Sequence, residues 1–375
     1  MSEKKNSWDF CEEFHRSVHE NSNQEIYVLS SLLEIRKFAE KLNLKVPTTP
    51  PFDIKFNSNM YYYWLIRANK LFKILSTIPN YEPRIERVFN SFDFFDAYAA
   101  LYEIEMALKF KIQGFDVTFV KENVSENTPD LEVKLGKTVF NIEVTTVNQP
   151  NEYREITIFY QHLHVLMRKY KIFMSGNLIK IPISIQKNLL QEIEEKVKEA
   201  QEECKKTTII KEGILVLELF PRGMKNIVTY KGMRFVHKEE KQIEDKVRQT
   251  IIDKQKQLKA NNNAGILCIY GGSRTINIRE LFEKLNEKIH PYLQTYPDLS
   301  ALVLSSYKDV STYENEISSE AEKDSKILKI INPAFGEKEY SVIWKNDSAK
   351  NVIPAEFLQV YNDFELKLQD ILQKK

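Results

Sequence analysis

The feature that most constrains the fold is the order of local patterns within residues 96–147. The stretch begins with apolar residues at helical spacing: Leu101, Ile104, Leu108 and Ile112. Gly114 follows, and glycine is common just past the end of a helix because it adopts a left-handed backbone without steric cost. The sequence therefore predicts a helix that ends at about Gln113.

Three strand patterns follow this helix. Residues 115–120 alternate apolar and polar side chains, as expected for a strand with one buried face. Residues 131–135 and 138–147 are two further strand patterns, and Gly136-Lys137 between them is a short hairpin signal. The order of helix, strand and hairpin predicts a small mixed sheet with a helix lying on it.

Two carboxylates occupy informative places on this frame. Asp130 opens the second strand, and Glu143 lies inside the apolar run of the third. Burying a carboxylate without a partner is costly, and Mg²⁺ is a suitable partner because it binds one or two carboxylates together with waters and phosphate oxygens. Across the hairpin, the register brings Asp130 and Glu143 close enough to meet at one end of the sheet.

The helix adds a third candidate acid. Glu103 shares its face with small side chains that would let the helix lie close to the sheet: Ala99, Ala100 and Ala107. We expect the neighbouring Glu105 to be solvated. Glu103 is therefore the helical acid that we place with Asp130 and Glu143.

These residues resemble the core of the PD-(D/E)XK nuclease superfamily, with spacings similar to those of archaeal Holliday-junction resolvases and many restriction endonucleases. Those families carry a helical Glu, a Gly-aromatic-x-Val strand, a Pro-Asp pair and a Glu-x-Lys in the next strand. The matching residues are Glu103, Gly114-Phe115-Asp116-Val117, Pro129-Asp130 and Glu143-Val144-Thr145. The sequence departs from the pattern at one position, because Thr145 stands where the superfamily has Lys.

The resemblance implies a restriction-endonuclease-like mixed α/β sheet flanked by helices. It also implies that Asp130 and Glu143 bind Mg²⁺ (or Mn²⁺), which polarises the scissile phosphate and lowers the pKa of a bound water. Glu103 would hold a second metal or a metal-bound water. Thr145 can orient a water through its hydroxyl but supplies no charge. Either another cation substitutes for the missing Lys, or turnover is weak, or the domain binds without cutting.

A structural interpretation of the same acids is the alternative. Asp130 would then be a turn residue at the entry of a strand. Glu143 would be a side chain of an edge strand that faces water.

Composition excludes several other classes of protein. With 42% hydrophobic and 29% charged residues, the chain is typical of a soluble globular protein. A net charge of +1 does not indicate nucleic acid, so a DNA-binding enzyme would need a local basic face. The dispersed Cys11, Cys204 and Cys268 favour neither a disulfide framework nor a zinc site. No secretory signal and no membrane-length apolar run is apparent, so we expect a cytoplasmic protein.

We expect three parts in the chain. Residues 1–90 have helical patterns and predict an N-terminal helical domain, or a helical cap on the core, for substrate recognition or dimerisation. Residues 91–310 would form the nuclease-like core, with an insertion at about 151–237. Residues 311–375 would form a C-terminal extension, whose amphipathic last helix is suited to docking or to self-association as a homodimer.

Two segments compete to supply the last helix and strand of the core: residues 153–185 and residues 239–270. We favour the second, because its helix carries Lys254 and Lys256 and resembles the Lys/Gln-bearing helix of some superfamily members. Either lysine is a candidate for the charge that Thr145 lacks. Both are also candidates for contact with nucleic acid.

The insertion offers one further basic patch. It lies on a predicted helix at residues 153–173 and consists of Arg168, Lys169 and Lys171. These side chains could contact phosphate, although a solvated helix end explains them equally. We expect a strand at residues 178–185 and a charged helix at residues 186–206 to follow.

The resemblance thus implies a Mg²⁺-dependent DNA phosphodiesterase, in particular an endonuclease. The alternative is a catalytically inactive nuclease-fold protein that binds nucleic acid or a protein partner. Thr145 is the residue that favours the alternative.

Overall fold

The computed structural model describes sixteen stretches of the chain: residues 7–19, 25–47, 56, 62–91, 94–121, 128–146, 151–179, 181–221, 233–235, 241–258, 263–270, 289, 291–307, 322–323, 326–331 and 339–373. The chain divides into two compact units. Unit 1 comprises Met1–Val147 and Ile243–Lys375, and Unit 2 comprises Asn148–Gln242.

Unit 1 is built around a mixed sheet with helices on both faces. The described helices are α1 (Ser7–His19), α2 (Glu25–Lys41), α3 (Tyr62–Leu75), α4 (Glu82–Asn90), α5 (Phe94–Ile112), α8 (Lys241–Leu258) and α9 (Ala355–Gln373). The strands are β1 (Asp116–Phe119), β2 (Leu131–Leu135), β3 (Thr138–Thr146), β8 (Ala264–Tyr270), β9 (Ala301–Tyr307), β10 (Glu322–Lys323), β11 (Lys326–Ile331) and β12 (Glu339–Lys345). The mixed α/β sheet flanked by helices that the sequence predicts is confirmed.

The strands follow the order β1-β2-β3-β8-β9-β12-β11-β10. The pairs β3–β8 and β8–β9 are parallel, and the other pairs are antiparallel. Of the two segments that competed for the place beside β3, the second is therefore correct, because β8 pairs with β3 over residues 140–146. The helix that precedes β8 is α8, which carries Lys254 and Lys256.

The local order around the hairpin is also confirmed. The helix α5 ends at Ile112, and Gly114 takes a φ of +89°, the left-handed conformation that glycine adopts most readily. The hairpin of β2 and β3 turns at Gly136, whose φ is +60°, and pairs Leu131 with Ile142. This register fixes which strand residues share a face.

The two faces of the sheet have separate cores. On the first face, Ile142, Ile266 and Cys268 join α5, α9 and the N-terminal helices in one hydrophobic cluster. On the second face, Leu267 and Ile269 pack with apolar residues of α8. Trp64 of α3 is buried in the first core, so the N-terminal helices cap the first face of the sheet. Glu105, which we expected to be solvated, is buried because both sides of α5 are covered.

Unit 2 is a smaller α/β unit. It contains α6 (Asn151–Lys169), β4 (Ile172–Leu178), α7 (Ile183–Glu203), β5 (Thr207–Lys211), β6 (Leu215–Pro221) and β7 (Met233–Phe235). The four strands form a sheet in the order β5-β6-β4-β7. Its core lies between this sheet and the helices α6 and α7.

The strand predicted at residues 178–185 is wrong. Lys171 takes a φ of +51°, which ends the preceding helix early, and β4 occupies Ile172–Leu178 instead. Pro182 is then the N-cap of α7, a place where its missing N–H is not needed.

Candidate active site

Asp130 and Glu143 lie opposite one another on neighbouring strands. The register pairs Leu131 with Ile142, and one step further it places Asp130 beside Glu143 with both side chains on the second face. Glu143 is fully buried, and β3 is an interior strand between β2 and β8. The edge-strand interpretation of Glu143 is therefore wrong.

Asp130 is fixed by two hydrogen bonds. The backbone N–H of Val144 donates to its carboxylate Oδ2 at 2.7 Å, and the backbone N–H of Val120 donates to its carbonyl oxygen at 2.9 Å. Asp130 thus connects the residue that follows β1 with the C-terminal part of β3. A simple turn residue at a strand entry would not need the side-chain bond across the hairpin.

Lys254 reaches the two acids from α8. Its Nζ lies 2.8 Å from Oε1 of Glu143, and its side chain is 35% exposed whereas that of Glu143 is 1% exposed. Of the two lysines considered in the sequence, Lys254 is the one that the fold brings to the acids. Lys256 is exposed. The ammonium group of Lys254 is therefore the positive charge beside the acidic pair.

Thr145 follows Glu143 by two residues and so shares its face of β3. The side chain is partly exposed, and its hydroxyl makes only a long contact of 3.5 Å with the carbonyl oxygen of Thr146. The hydroxyl is consequently available to orient a water or a ligand.

Glu103 is held by two arginines of α4. Nε of Arg84 donates to its Oε2 at 3.1 Å, and Nη1 of Arg87 donates to its Oε1 at 3.0 Å. Arg87 also donates from Nε and Nη2 to Oδ1 of Asp96, at 3.1 and 2.8 Å. Both oxygens of Glu103 therefore have arginine partners, which differs from the metal or water contact expected from the sequence.

Arg84 also ties this network to Asp130. Its Nη2 donates to the carbonyl oxygen of Val120 at 3.3 Å, and Val120 in turn donates to Asp130. Neither arginine was predicted from the sequence as part of the site. Their i,i+3 spacing on a short helix was the only available signal, and it does not indicate which acid they meet.

Burial raises the pKa values of the three carboxyl groups, and their mutual repulsion adds to the rise. Loss of hydration and the nearby Glu143 raise the pKa of Asp130 to about 8, against the opposing effect of the Val144 N–H and Lys254. Burial likewise raises the pKa of Glu143 to about 7, although Lys254 counteracts the rise. Burial and Asp130 raise the pKa of Glu103 to about 7, opposed by its arginines. Near neutral pH, the cations beside the three carboxyl groups therefore do not fully compensate their negative charges.

A divalent cation fits this pair of carboxylates. The carboxyls of Glu143 and Asp130 lie within hydrogen-bonding reach of one another, and the buried Oε2 of Glu143 receives no hydrogen bond from the other described residues. A cation that joins the two carboxyls would therefore have both as ligands. Mg²⁺ commonly uses only one or two carboxylates and completes its shell with waters and phosphate oxygens. Within the described ranges, no group of three or more His, Cys, Asp or Glu residues has a metal-binding arrangement. The protein ligands that the described site could offer to a cation are the carboxylates of Asp130 and Glu143.

The basic patch predicted in the insertion belongs to Unit 2. There Lys169 donates to Oε1 of Glu194 at 2.7 Å and lies over the ring of Tyr170. Lys171 is exposed, and the side chain of Arg168 lies outside the described residues. The charge of Lys169 is already matched by Glu194, which favours the interpretation as a solvated helix end.

None of the helices in the described parts of the chain is long and apolar enough to cross a membrane. Comparison with models of known protein families finds no match, and comparison with curated proteins also finds none. The chemistry of this chain is therefore inferred from its own geometry.

Proposed function

We propose that this protein is a Mg²⁺-dependent DNA phosphodiesterase, in particular an endonuclease of the PD-(D/E)XK type. The observation that carries the proposal is the convergence of Asp130, Glu143 and Lys254, which come from three separate elements and meet at one end of β2. Two carboxylates and one ammonium group match the chemical requirements of metal-assisted phosphodiester hydrolysis.

Asp130 and Glu143 would hold the cation, Asp130 through its carboxylate just before β2 and Glu143 through its Oε2. When bound, the ion supplies Lewis-acid polarisation of the scissile phosphate and a lower pKa for the attacking water. The hydrogen bond from Val144 keeps the Asp130 carboxylate in a fixed orientation. A preorganised pair of ligands needs little rearrangement when the cation arrives.

Lys254 would take the part that the superfamily assigns to the strand lysine. Burial alone would lower the pKa of Lys254, but the adjacent Glu143 raises it above its ordinary value, so the side chain is an ammonium at neutral pH. An ammonium donates hydrogen bonds and cannot accept a proton. Lys254 would therefore orient the attacking water and stabilise negative charge as it develops on the phosphate, while Thr145 offers a hydroxyl nearby.

Glu103 has a different role in this proposal from the one that the resemblance implies. Because both of its oxygens accept hydrogen bonds from Arg84 and Arg87, it holds α4 against α5 beside the end of β1. Its charge still acts on Asp130. We propose that Glu103 positions the acidic pair and does not bind the cation directly.

The alternative is a nuclease-fold protein that binds nucleic acid or a protein partner without cutting. Thr145 in place of the strand lysine favours it. The small number of ligands in the described site is also compatible with it. The two functions differ in whether Lys254 can replace the strand lysine.

A cleavage assay separates the two functions. The purified protein is incubated with supercoiled, linear and branched DNA in the presence of Mg²⁺ or Mn²⁺, alongside the variants Asp130→Ala and Glu143→Ala. We expect metal-dependent cutting that both substitutions abolish. Cutting that survives both substitutions would exclude this site. Binding of DNA without any cutting would favour the alternative.

A further inference from the structure

An open groove runs along α4, next to the acidic pair. It has a volume of about 900 Å³. The charged residues that line it are Glu82, Arg84, Glu86, Arg87, Asp96 and Lys121. A groove of this size accommodates several atoms of a polymer backbone, so its chemistry bears on what the site can bind.

The groove is connected to the acidic pair by short contacts. Arg84 lines the groove and donates to the carbonyl oxygen of Val120, and the N–H of Val120 donates to Asp130. Lys121, the next residue in the chain, forms part of the groove wall. Arg84 also acts electrostatically on Asp130, so the groove lies beside the acidic pair.

Two cations in the groove can contact a phosphate. The side chain of Arg87 is 34% exposed, and its contacts with Glu103 and Asp96 use three of the five N–H groups of a guanidinium. The remaining two can form the paired contact that suits a phosphate. Lys121 is exposed, and no ion pair holds it within the described residues.

The carboxylates around the groove and the acidic pair outnumber the cations by six to four. The carboxylates are Glu82, Glu86, Asp96, Glu103, Asp130 and Glu143, and the cations are Arg84, Arg87, Lys121 and Lys254. With all six carboxyls ionised, this region repels a phosphodiester, and the protons that the raised pKa values keep on the buried carboxyls remove only part of that excess. One divalent cation at the acidic pair offsets the excess of two negative charges, so attraction of phosphate depends on the cation.

We propose that the groove along α4 binds the phosphodiester strand that flanks the scissile phosphate, through Arg87 and Lys121, and that it does so only when a divalent cation occupies the acidic pair. The inference rests on the proposed function and names the surface that takes the substrate. Glu82 and Glu86 on the groove wall oppose binding, so their removal has the opposite effect from removal of Lys121.

The test measures binding separately from cutting. Fluorescein-labelled duplex and branched DNA is titrated with protein in Ca²⁺ or in EDTA, by fluorescence anisotropy, with gels that verify that the DNA stays intact. The variant Lys121→Glu is compared with Lys137→Glu, an identical charge change at the hairpin turn, which lies at the opposite end of β2 from Asp130. Both side chains are exposed, so neither substitution disturbs the core.

We expect wild-type binding in Ca²⁺ that EDTA abolishes. Lys121→Glu should weaken DNA binding by about 10-fold or more, and Lys121→Ala by about 3- to 10-fold. For Lys121→Ala, the slope of log binding constant against log salt concentration should fall in magnitude by about one. Lys137→Glu should stay within about 2-fold of wild type, and Glu86→Gln should tighten binding by about 2- to 5-fold.

Equal effects of Lys121→Glu and Lys137→Glu would overturn the groove assignment, as would wild-type protein that binds no DNA in Ca²⁺. The cleavage assay keeps the two proposals apart. If Asp130→Ala loses cleavage while Lys121→Glu binds DNA as tightly as wild type, only the groove assignment is wrong. If Lys121→Glu weakens cation-dependent DNA binding while cleavage survives in both Asp130→Ala and Glu143→Ala, only the assigned cleavage site is wrong.

Discussion

The neighbouring strands β3 and β8 share a register but differ on the second face of the sheet. Glu143 of β3 pairs with Leu267 of β8, and Asn141 pairs with Gly265. Leu267 packs in the hydrophobic cluster beneath α8, whereas Glu143 is equally buried but needs Lys254 as a partner. The same layer of the sheet is thus apolar in one strand and charged in the next.

The difference indicates that the fold does not require a carboxylate at the position of Glu143. A buried carboxylate loses its hydration, and the raised pKa of Glu143 shows that Lys254 only partly compensates. Leucine in the neighbouring strand serves the packing without that cost. Residues that lower stability at a position where an apolar residue would fit are candidates for function.

The most direct test of this difference is to give β3 the leucine that β8 has at the paired position. Glu143→Leu should abolish DNA cleavage, a loss of about 10³-fold or more, because one of two proposed metal ligands disappears. Stability should not fall with it. We expect an unfolding free energy in urea within about 1 kcal/mol of wild type or higher, since Lys254 can extend its ammonium group into solvent. Cleavage that persists in a folded variant would remove Glu143 from the mechanism.

The reverse change should have the reverse consequence. Leu267→Glu places a carboxylate in an apolar cluster of the second face, and the ammonium group of Lys254 on α8 is already paired with Glu143. We expect a loss of about 3–5 kcal/mol in unfolding free energy, measured by urea denaturation with Leu267→Met as the size-matched control. A small loss would mean that this layer tolerates charge generally, and burial of Glu143 would then say little about function.

Local patterns explain why part of this arrangement was predictable. The helix–strand–hairpin order follows from hydrophobic spacing and from Gly114, and the meeting of Asp130 with Glu143 follows from the register of one hairpin. Both depend on residues close together in the sequence. The parallel neighbour β8 was selected correctly among two alternatives by the lysines on its preceding helix.

Contacts between distant or fully covered elements were not predictable in the same way. The arginines that hold Glu103 come from α4, and nothing in their spacing indicates how α4 packs on α5. Burial of Glu105 depends on layers that cover both sides of α5. In Unit 2, the early end of α6 at Lys171 displaced the predicted strand by several residues.

Lys254 allows a smaller test on a single helix. Lys254→Met should lower kcat by about 10- to 100-fold, because the water and the developing charge lose their hydrogen-bond donor. Lys256→Met removes an exposed cation two residues away on α8 and should leave kcat unchanged. Equal activity of the two variants would show that Lys254 serves only to balance the charge of Glu143, as expected for a protein that binds without cutting.

The smallest effect concerns pH and distinguishes Asp130 from a surface acid. The carboxyl of Asp130 has a pKa raised to about 8, from an ordinary value of 3.8 in the unfolded chain. Between those values the folded protein keeps a proton that the unfolded chain has released, so Asp130 makes the folded state less stable as pH rises. Asn at this position has no proton to lose. In EDTA, the unfolding free energy of Asp130→Asn relative to wild type should therefore rise by about 2 kcal/mol from pH 5.5 to 8.5, less than the full shift because three carboxyls share the protons.

Melting temperatures at three pH values measure this trend, with Asp253→Asn on the exposed side of α8 as the control that should show none. At pH 8.5, Mg²⁺ should raise the melting temperature of the wild-type protein, because the cation binds the ionised carboxylates of its folded state. Mg²⁺ should have little effect on the melting temperature of Asp130→Asn. A difference between Asp130→Asn and wild type that stays constant with pH would mean that Asp130 is ionised throughout. Asp130 and Glu143 would then already have enough positive charge beside them. The contrast between β3 and β8 would reflect packing and would not indicate a metal site.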